Sequence, residues 1–214
     1  MFDDFLQQAS TIAHEDRNFE EWHQGIEHYG FWAIIIRNQP WLNLYAAAKQ
    51  HVDGLVLKNY QRQAHITIAS CGLMAPQHFS KQLFLQQQQA LIDANIGCFG
   101  LSAGEINSFS GAPYITINDH EGKLSAIKQL LNNVSAEDSP SLQYTPHITL
   151  GLYSEAFNCA LVVDCLKRFQ CRAIPDLYVD EICFCSYGTD SIQGPLDIIE
   201  SVKLAPVKLR NSAI

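Results

Sequence analysis

The sequence predicts an α+β protein of two similar lobes, each an antiparallel sheet with helices on its outer face, around a central cleft. Three observations support this prediction. The order strand–helix–strand–helix–strand occurs twice, and matched segments have nearly equal spacing in both copies. In addition, 47% of the 214 residues are apolar, which is enough for a sizeable core. Two copies of about 80 residues are too long and too few for a solenoid, so we expect one bilobal domain with a pseudo-twofold axis.

The first half of the chain is expected to form an amino-terminal helical segment and the first lobe. Residues 1–29 are polar, with apolar residues at helical spacing near their start. The first lobe, over residues 30–111, opens with an apolar, β-branched and aromatic run that is typical of a buried strand. The pattern predicts helices over residues 2–12, 19–26, 41–52 and 76–95, and strands over residues 31–36, 64–69 and 98–109.

The second lobe, expected over residues 112–214, repeats this order. Strands are predicted over residues 112–117, 147–150 and 177–186, helices over 122–134 and 155–169, a polar loop over 135–141, and an edge strand within 196–209. Phe31 and His65 are 34 residues apart, and Tyr114 and His147 are 33 apart. Because order and spacing agree together, we interpret the halves as two copies of one unit.

Charge and composition restrict the classes of partner. The 14 basic and 22 acidic residues give a formal charge of −8, which argues against an extended nucleic-acid surface, since such surfaces neutralise many phosphates. Binding of a short stretch of nucleic acid in one local groove is compatible with this charge. The start of the chain lacks the basic residues of a signal peptide, and no apolar run reaches membrane-spanning length. Seven cysteines without metal-binding spacing suggest reduced thiols. We therefore expect a cytoplasmic protein, a monomer without membrane partners.

One motif occurs at the matched position of each copy. The two strings are His65-Ile66-Thr67-Ile68 and His147-Ile148-Thr149-Leu150. Residues two apart on a strand point to the same face, so each His shares a face with its Thr while the aliphatic residues pack behind. A single such string would be weak, because a histidine on a strand is often only a hydrogen-bonded structural residue. The symmetric pair instead predicts a site where both strands meet.

Two imidazoles and two hydroxyls across a cleft suit displacement at phosphorus. Imidazole titrates near neutrality, so one ring can act as general base and the other as general acid. Threonine hydroxyls can donate to the non-bridging phosphate oxygens. No acidic ligand cluster accompanies either motif, and a zinc site would need a third ligand that the spacing does not offer. We expect His65 and His147 to be catalytic, Thr67 and Thr149 to bind phosphate, and no metal or cofactor.

The paired motifs resemble the signature of the 2H (two-histidine) phosphoesterase superfamily, which contains bacterial 2′-5′ RNA ligases and 2′,3′-cyclic nucleotide phosphodiesterases. The resemblance covers about residues 30–190, and it includes Gly72 after the first motif and Pro146 before the second. It implies a two-lobed fold and a hydrolase that acts in RNA processing. The implied substrate is a 2′,3′-cyclic phosphate or a 2′-5′ phosphodiester of a nucleotide or short RNA end. For a cyclic phosphate, the implied product is the 2′-phosphate.

The sequence departs from the ligase-type pattern after the second motif, where those members usually carry an arginine. Residues 151–153 occupy that stretch, so we expect Tyr153, or a basic residue from elsewhere in the chain, to contact the substrate. Arg37, at the end of the first strand, and Tyr60 and Arg62, in the loop before the first motif, are further candidates. Ordinary solvated side chains are the alternative for all three. The competing function is a non-catalytic module that binds a nucleotide or RNA end in the same cleft.

Overall fold

The computed structural model describes residues 2–137, 144–171 and 173–206. The helices are α1 (Asp3–Leu6), α2 (Glu20–His23), α3 (Gln39–Val52), α4 (Lys81–Ala94), α5 (Lys123–Val134) and α6 (Cys159–Leu166). The strands are β1 (His28–Ile35), β2 (His65–Leu73), β3 (Phe99–Ser108), β4 (Pro113–Asn118), β5 (His147–Thr149), β6 (Leu177–Val179), β7 (Glu181–Gly188) and β8 (Asp197–Lys203).

The strands form two four-stranded antiparallel sheets, in the orders β2-β1-β7-β8 and β5-β4-β3-β6. The α+β class and the paired lobes are confirmed. Within each sheet, the first two strands of one copy pair with the third strand of the other copy: β1 pairs with β7, and β4 pairs with β3. The predicted division at residues 111/112 therefore does not describe the sheets, because the copies exchange their third strands. Spacing along the chain carries no information about such an exchange.

Several predicted elements have different ends for local reasons. The helix predicted over residues 76–95 begins at Lys81, because the Ser80 hydroxyl caps it by accepting from the Leu83 amide at 3.3 Å. The helix predicted over 155–169 begins at Cys159, after the cap residue Asn158. The strand predicted over 177–186 is divided at Asp180 into β6 and β7, which belong to different sheets.

Near the ends of the chain, the predicted elements are shorter in the structure. The first helix covers Asp3–Leu6 rather than residues 2–12, and the second covers Glu20–His23 rather than 19–26. The predicted carboxy-terminal edge strand is present as β8, paired to β7, and residues 207–209 of the prediction lie outside the described residues. The predicted loop over 135–141 lies outside them from residue 138 onwards.

The main core lies between the outer faces of the sheets and the helices. Trp32 of β1, 0% exposed, packs against Phe84 of α4 and Phe184 of β7, and its indole donates to the Gln87 side chain at 2.8 Å. The Gln87 amide in turn donates to the Leu131 carbonyl of α5 at 3.2 Å. A second, smaller apolar cluster covers the opposite face of the first sheet; its buried members are Phe31, Ala33, Cys183, Cys185 and Leu196. The first sheet is therefore covered on both faces, and its second face forms the floor of the cleft.

All seven cysteines are free thiols in the structure. Within the described residues, no helix is both long and apolar enough to cross a membrane.

Candidate active site

The first motif lies at the start of β2, on the wall of a cavity of about 240 Å³. The residues lining this cavity are Trp22, Tyr29, Phe31, Arg62, His65, Thr67, Ser70 and Tyr187. Ile66 and Ile68, at most 1% exposed, pack into the main core behind the strand. The alternation of β2 therefore places both polar side chains of the first motif on the cleft side, as predicted.

The backbone conformation at Gly72, the residue that follows the first motif in the family pattern, explains why a glycine stands there. It pairs with Gly30 of β1 next to a register shift, and its φ of 103° lies in the left-handed region that favours glycine. The glycine permits this irregularity within β2, and the pairing continues beyond it to Tyr29 and Leu73.

Both motif histidines are held by the same contact. The Nδ1 atom of His65 lies 2.7 Å from the Gln63 carbonyl oxygen, and the Nδ1 atom of His147 lies 2.7 Å from the Thr145 carbonyl oxygen. Because a carbonyl oxygen only accepts, each ring donates from Nδ1 and keeps Nε2 for another partner. The two rings therefore have the same orientation and the same tautomer relative to their own strands.

Burial lowers the pKa of both imidazoles. His65 is 8% exposed beside Phe31, and its pKa is lowered to about 4. Burial is the main cause, the nearby charges of Arg62 and His147 act in the same direction, and the bond to the Gln63 carbonyl opposes them. His147 packs against the aromatic rings of Phe109 and Tyr114, and burial likewise lowers its pKa. Both rings are therefore neutral at pH 7 in the free protein, each with an Nε2 lone pair.

The second motif is joined to the first by the segment that precedes it. The Tyr144 hydroxyl donates to the backbone carbonyl of Thr67 at 2.9 Å, and β5 contacts β2. Farther along β2, the Ser70 amide donates to the buried Glu137 carboxylate at 3.0 Å, and this carboxylate pairs with Lys128 at 2.5 Å. These contacts hold the second motif beside the first, close enough for the charge of His147 to influence the pKa of His65.

The four candidate substrate contacts have different surroundings in the structure, and one of them, Arg62, lines the cleft. Arg62 lines the cleft, with its guanidinium 4.0 Å from the centre of the Tyr187 ring and its buried Nε without a hydrogen-bond partner. Tyr60, which lies in the same loop as Arg62 before the first motif, is buried at 9% exposure. Arg37 is paired with Glu181 at the surface.

Tyr153 is placed away from solvent. It is 0% exposed, its hydroxyl lies 2.6 Å from the Ser108 hydroxyl, and its ring contacts Phe157. The prediction of Tyr153 as a substrate contact is therefore wrong, because this side chain is a hydrogen-bonded member of the core. The position of Tyr153 shortly after His147 in the sequence gives no indication that the loop after β5 packs into the core.

Sequence reasoning missed the aromatic lining of the cleft. Trp22 lies 5.7 Å from Tyr29, Tyr29 stacks on Tyr187 at 5.3 Å, and Phe31 packs against Tyr187 at 6.0 Å. These residues come from α2, β1 and β7, which are far apart in the sequence. Alternation places Tyr29 and Phe31 on one face of β1, but the sequence has no signal that brings Trp22 to them.

Thr116 of β4 was also missed. It is the register partner of His147, so both side chains share a face of the second sheet, and within residues 2–137, 144–171 and 173–206 its buried hydroxyl oxygen has no hydrogen-bond partner. Strand pairing, which the sequence did not reveal, would have been needed to find it. Among the described residues, no group of three or more His, Cys, Asp or Glu side chains could hold a metal ion.

Comparisons with known proteins give a consistent architecture. No family model and no curated protein matches the sequence. Among solved structures, a phosphoesterase superposes with a TM-score of 0.57 at 13% identity, covering 83% of this chain and 99% of its own. Escherichia coli LigT complexed with 3′-AMP gives 0.55 at 14% identity, covering 84% and 99%. The protein TT0787 of Thermus thermophilus gives 0.55 at 11% identity, covering 84% and 100%. The chain therefore has the fold of these phosphoesterase and LigT structures.

Proposed function

We propose that the protein is a metal-independent phosphoesterase of the 2H type. Its substrate would be a 2′,3′-cyclic phosphate or a 2′-5′ phosphodiester of a nucleotide or RNA end. The observation that carries this proposal is the matched presentation of two histidines, each donating from Nδ1 to a carbonyl two residues earlier at 2.7 Å. The shared fold with LigT, which has been crystallised with 3′-AMP and with ATP, supports a nucleotide as the ligand.

The geometry supports a two-proton mechanism. One neutral imidazole accepts a proton at Nε2 from the attacking water as its oxygen bonds to phosphorus. The bond from phosphorus to the ribose 3′-oxygen breaks, and the second imidazole, protonated, gives its proton to that leaving oxygen. The product is then a nucleoside 2′-phosphate. The hydroxyls of Thr67 and Thr149 donate to the non-bridging oxygens, where negative charge accumulates.

The required proton must come with the substrate or after it. Both rings are neutral in the free protein because burial lowers their pKa. A bound phosphate carries negative charge into the same cleft, which raises the pKa of the adjacent imidazoles and favours protonation of one of them. We therefore expect a bell-shaped dependence of rate on pH, and the two histidines titrate as one coupled pair.

The first test is turnover of the four nucleoside 2′,3′-cyclic monophosphates and a 2′-5′-linked dinucleotide in the presence of EDTA. His65→Ala and His147→Ala should each lower kcat by at least about 10²-fold, because each removes a proton-transfer group. His78→Ala is the matched control, since His78 is exposed and outside the cleft. Near-full activity in either cleft variant would refute the two-histidine mechanism.

The same assay separates the proposal from its alternative. A nucleotide that binds but is recovered unchanged after long incubation would indicate a binding module. Loss of turnover in EDTA that returns on addition of a divalent metal would indicate a metal-dependent enzyme instead.

A further inference from the structure

A second cavity, of about 300 Å³, adjoins the cleft. It is lined by His14, Phe19, Trp22, Arg62, Tyr187, Thr189, Ser191 and Ile192. Three of these residues, Trp22, Arg62 and Tyr187, also line the cleft. The two cavities are therefore neighbours that share one wall, and the mechanism proposed above uses only the first.

The outer wall of the second cavity is built by the amino-terminal segment, residues 9–27, which is bonded to connections of both sheets. On one side its backbone is bonded to connections of the second sheet: the Ile12 amide donates to the Ser110 carbonyl between β3 and β4 at 2.8 Å, and the His14 amide donates to the Tyr153 carbonyl after β5 at 2.9 Å. On the other side, the Thr189 hydroxyl donates to the Ile26 carbonyl at 2.5 Å. The segment is therefore anchored at both ends across the mouth of the cleft, and the cavity beneath it is preformed.

The lining has the chemistry of a nucleobase site. Phe19, Trp22 and Tyr187 contribute aromatic rings. Arg17 lies over the Phe19 ring, and Tyr29 and Arg62 contact the Tyr187 ring, so Trp22, 40% exposed although it is large and apolar, is the most open of the three. Ser191 and His14 add polar atoms at the edge, and the buried Nδ1 of His14 has no hydrogen-bond partner in the part of the chain that the structure describes. Bases stack on such rings with little regard to sequence, because every base has a π-face. The volume lies at the lower end of small-molecule sites, which suits one base better than an extended chain.

Arg62 stands between the two cavities. Its guanidinium lies over the Tyr187 ring, its charge lowers the pKa of His65, and its buried Nε has no partner among the described residues. A phosphate oxygen that lies between the cavities would accept from a guanidinium in this position. The paired histidines, the Arg62 cation and the aromatic pocket follow one another in this order. A dinucleotide has the matching order of a terminal phosphate, a joining phosphodiester and a second base.

We propose that this second cavity binds the base of a second nucleoside, so that the preferred substrate is an oligonucleotide end rather than a mononucleotide. Arg62 then contacts the phosphodiester that joins the two nucleosides. This inference rests on the proposed function, since it assumes that the scissile phosphate lies at the paired histidines. It adds a substrate length that the histidines alone do not imply.

The test compares cytidine 2′,3′-cyclic phosphate with the 3′-5′ dinucleotide of cytidine that ends in a 2′,3′-cyclic phosphate. The wild-type protein should show a kcat/KM about tenfold higher for the dinucleotide, which is the contribution of one stacked base. In Phe19→Ala, which removes a ring that lines the second cavity but not the cleft, the ratio of the two kcat/KM values should fall toward one. Tyr178→Ala is the control, because Tyr178 is an aromatic residue of β6, 61% exposed and outside both cavities, and it should keep the wild-type ratio. Equal kcat/KM for both substrates in the wild type would overturn the inference.

A binding measurement separates failure of this inference from failure of the proposed function. Trp32 and Trp41 are buried in the core, so a change in fluorescence on adding a nucleotide reports chiefly on Trp22. With the His65→Ala/His147→Ala protein, the dinucleotide should change the fluorescence at a concentration about tenfold lower than the mononucleotide, and Phe19→Ala should remove that difference. This result without any turnover by the wild type would support the cavity while rejecting the catalytic proposal. Equal half-saturating concentrations would reject the cavity whatever the turnover.

Discussion

Protonation of His65 at mildly acidic pH should destabilise the fold. Burial lowers the pKa of its imidazole to about 4, whereas the ring titrates near 6.5 in an unfolded chain. Between these values the unfolded state binds more protons, so this contribution to stability is complete above pH 6.5 and is lost as the pH falls through 4. Linkage with these two pKa values gives a loss of about 2 kcal/mol between pH 7 and pH 5, and about 3 kcal/mol by pH 4.

The assay is urea unfolding at pH 7 and pH 5 for the wild type, His65→Gln and the exposed-site control His78→Gln. Glutamine keeps an N–H near the Gln63 carbonyl but does not titrate. Protonation of His147 and of the carboxylates affects all three proteins, so the difference between them isolates His65. The wild type and the control should each lose about 2 kcal/mol more than His65→Gln between the two pH values. Equal losses in all three proteins would show that His65 is not held neutral by burial.

Three further predictions concern the contacts that support the cleft. Gln87→Leu should lower the free energy of unfolding by about 1–3 kcal/mol, because it leaves the buried Trp32 indole N–H without an acceptor; thermal and urea unfolding measure this loss. Lys128→Met should destabilise by about 3–5 kcal/mol at pH 7, because it leaves the Glu137 carboxylate, 6% exposed, without its cation; urea unfolding of the variant and the wild type measures this loss. Tyr144→Phe removes the hydroxyl that donates to the Thr67 carbonyl and joins the two motif segments. The kcat on the best cyclic substrate should fall, while the free energy of urea unfolding should change by no more than about 1 kcal/mol. An unchanged kcat would show that this bond does not position the second motif.

Local patterns in the sequence were sufficient for the elements that carry the chemistry. Alternation along the strands placed His65 and Thr67 on one face with Ile66 and Ile68 behind, and the structure has this arrangement. The repeated order of strands and helices likewise predicted two similar antiparallel sheets. These features depend on neighbours within a few residues, or on the comparison of two stretches of the same chain, and both are legible in a sequence. The catalytic role of the motif pair stays a prediction.

The errors have a common cause. Tyr153 follows the second motif in the chain, yet it is buried with its hydroxyl against Ser108, because the loop after β5 packs under the β3–β4 connection. The boundary drawn at residues 111/112 does not match the sheets for a related reason, since β3 and β7 leave their own copies to pair with the other sheet. Pairing between strands far apart in the sequence depends on which edges are free in the folded state, and no local pattern specifies that.

The sequence by itself determined which side chains can do chemistry here: two histidines and two threonines, each pair alternating on a strand of a duplicated unit. Tertiary structure decided their state. It supplied the carbonyls that orient each imidazole and the burial that lowers the pKa of both rings. It also placed the amino-terminal segment, residues 9–27, so that Trp22 lies with Tyr187 beside the cleft. The identity of a side chain is local, whereas its hydration, its tautomer and its neighbours depend on segments that only the folded chain brings together.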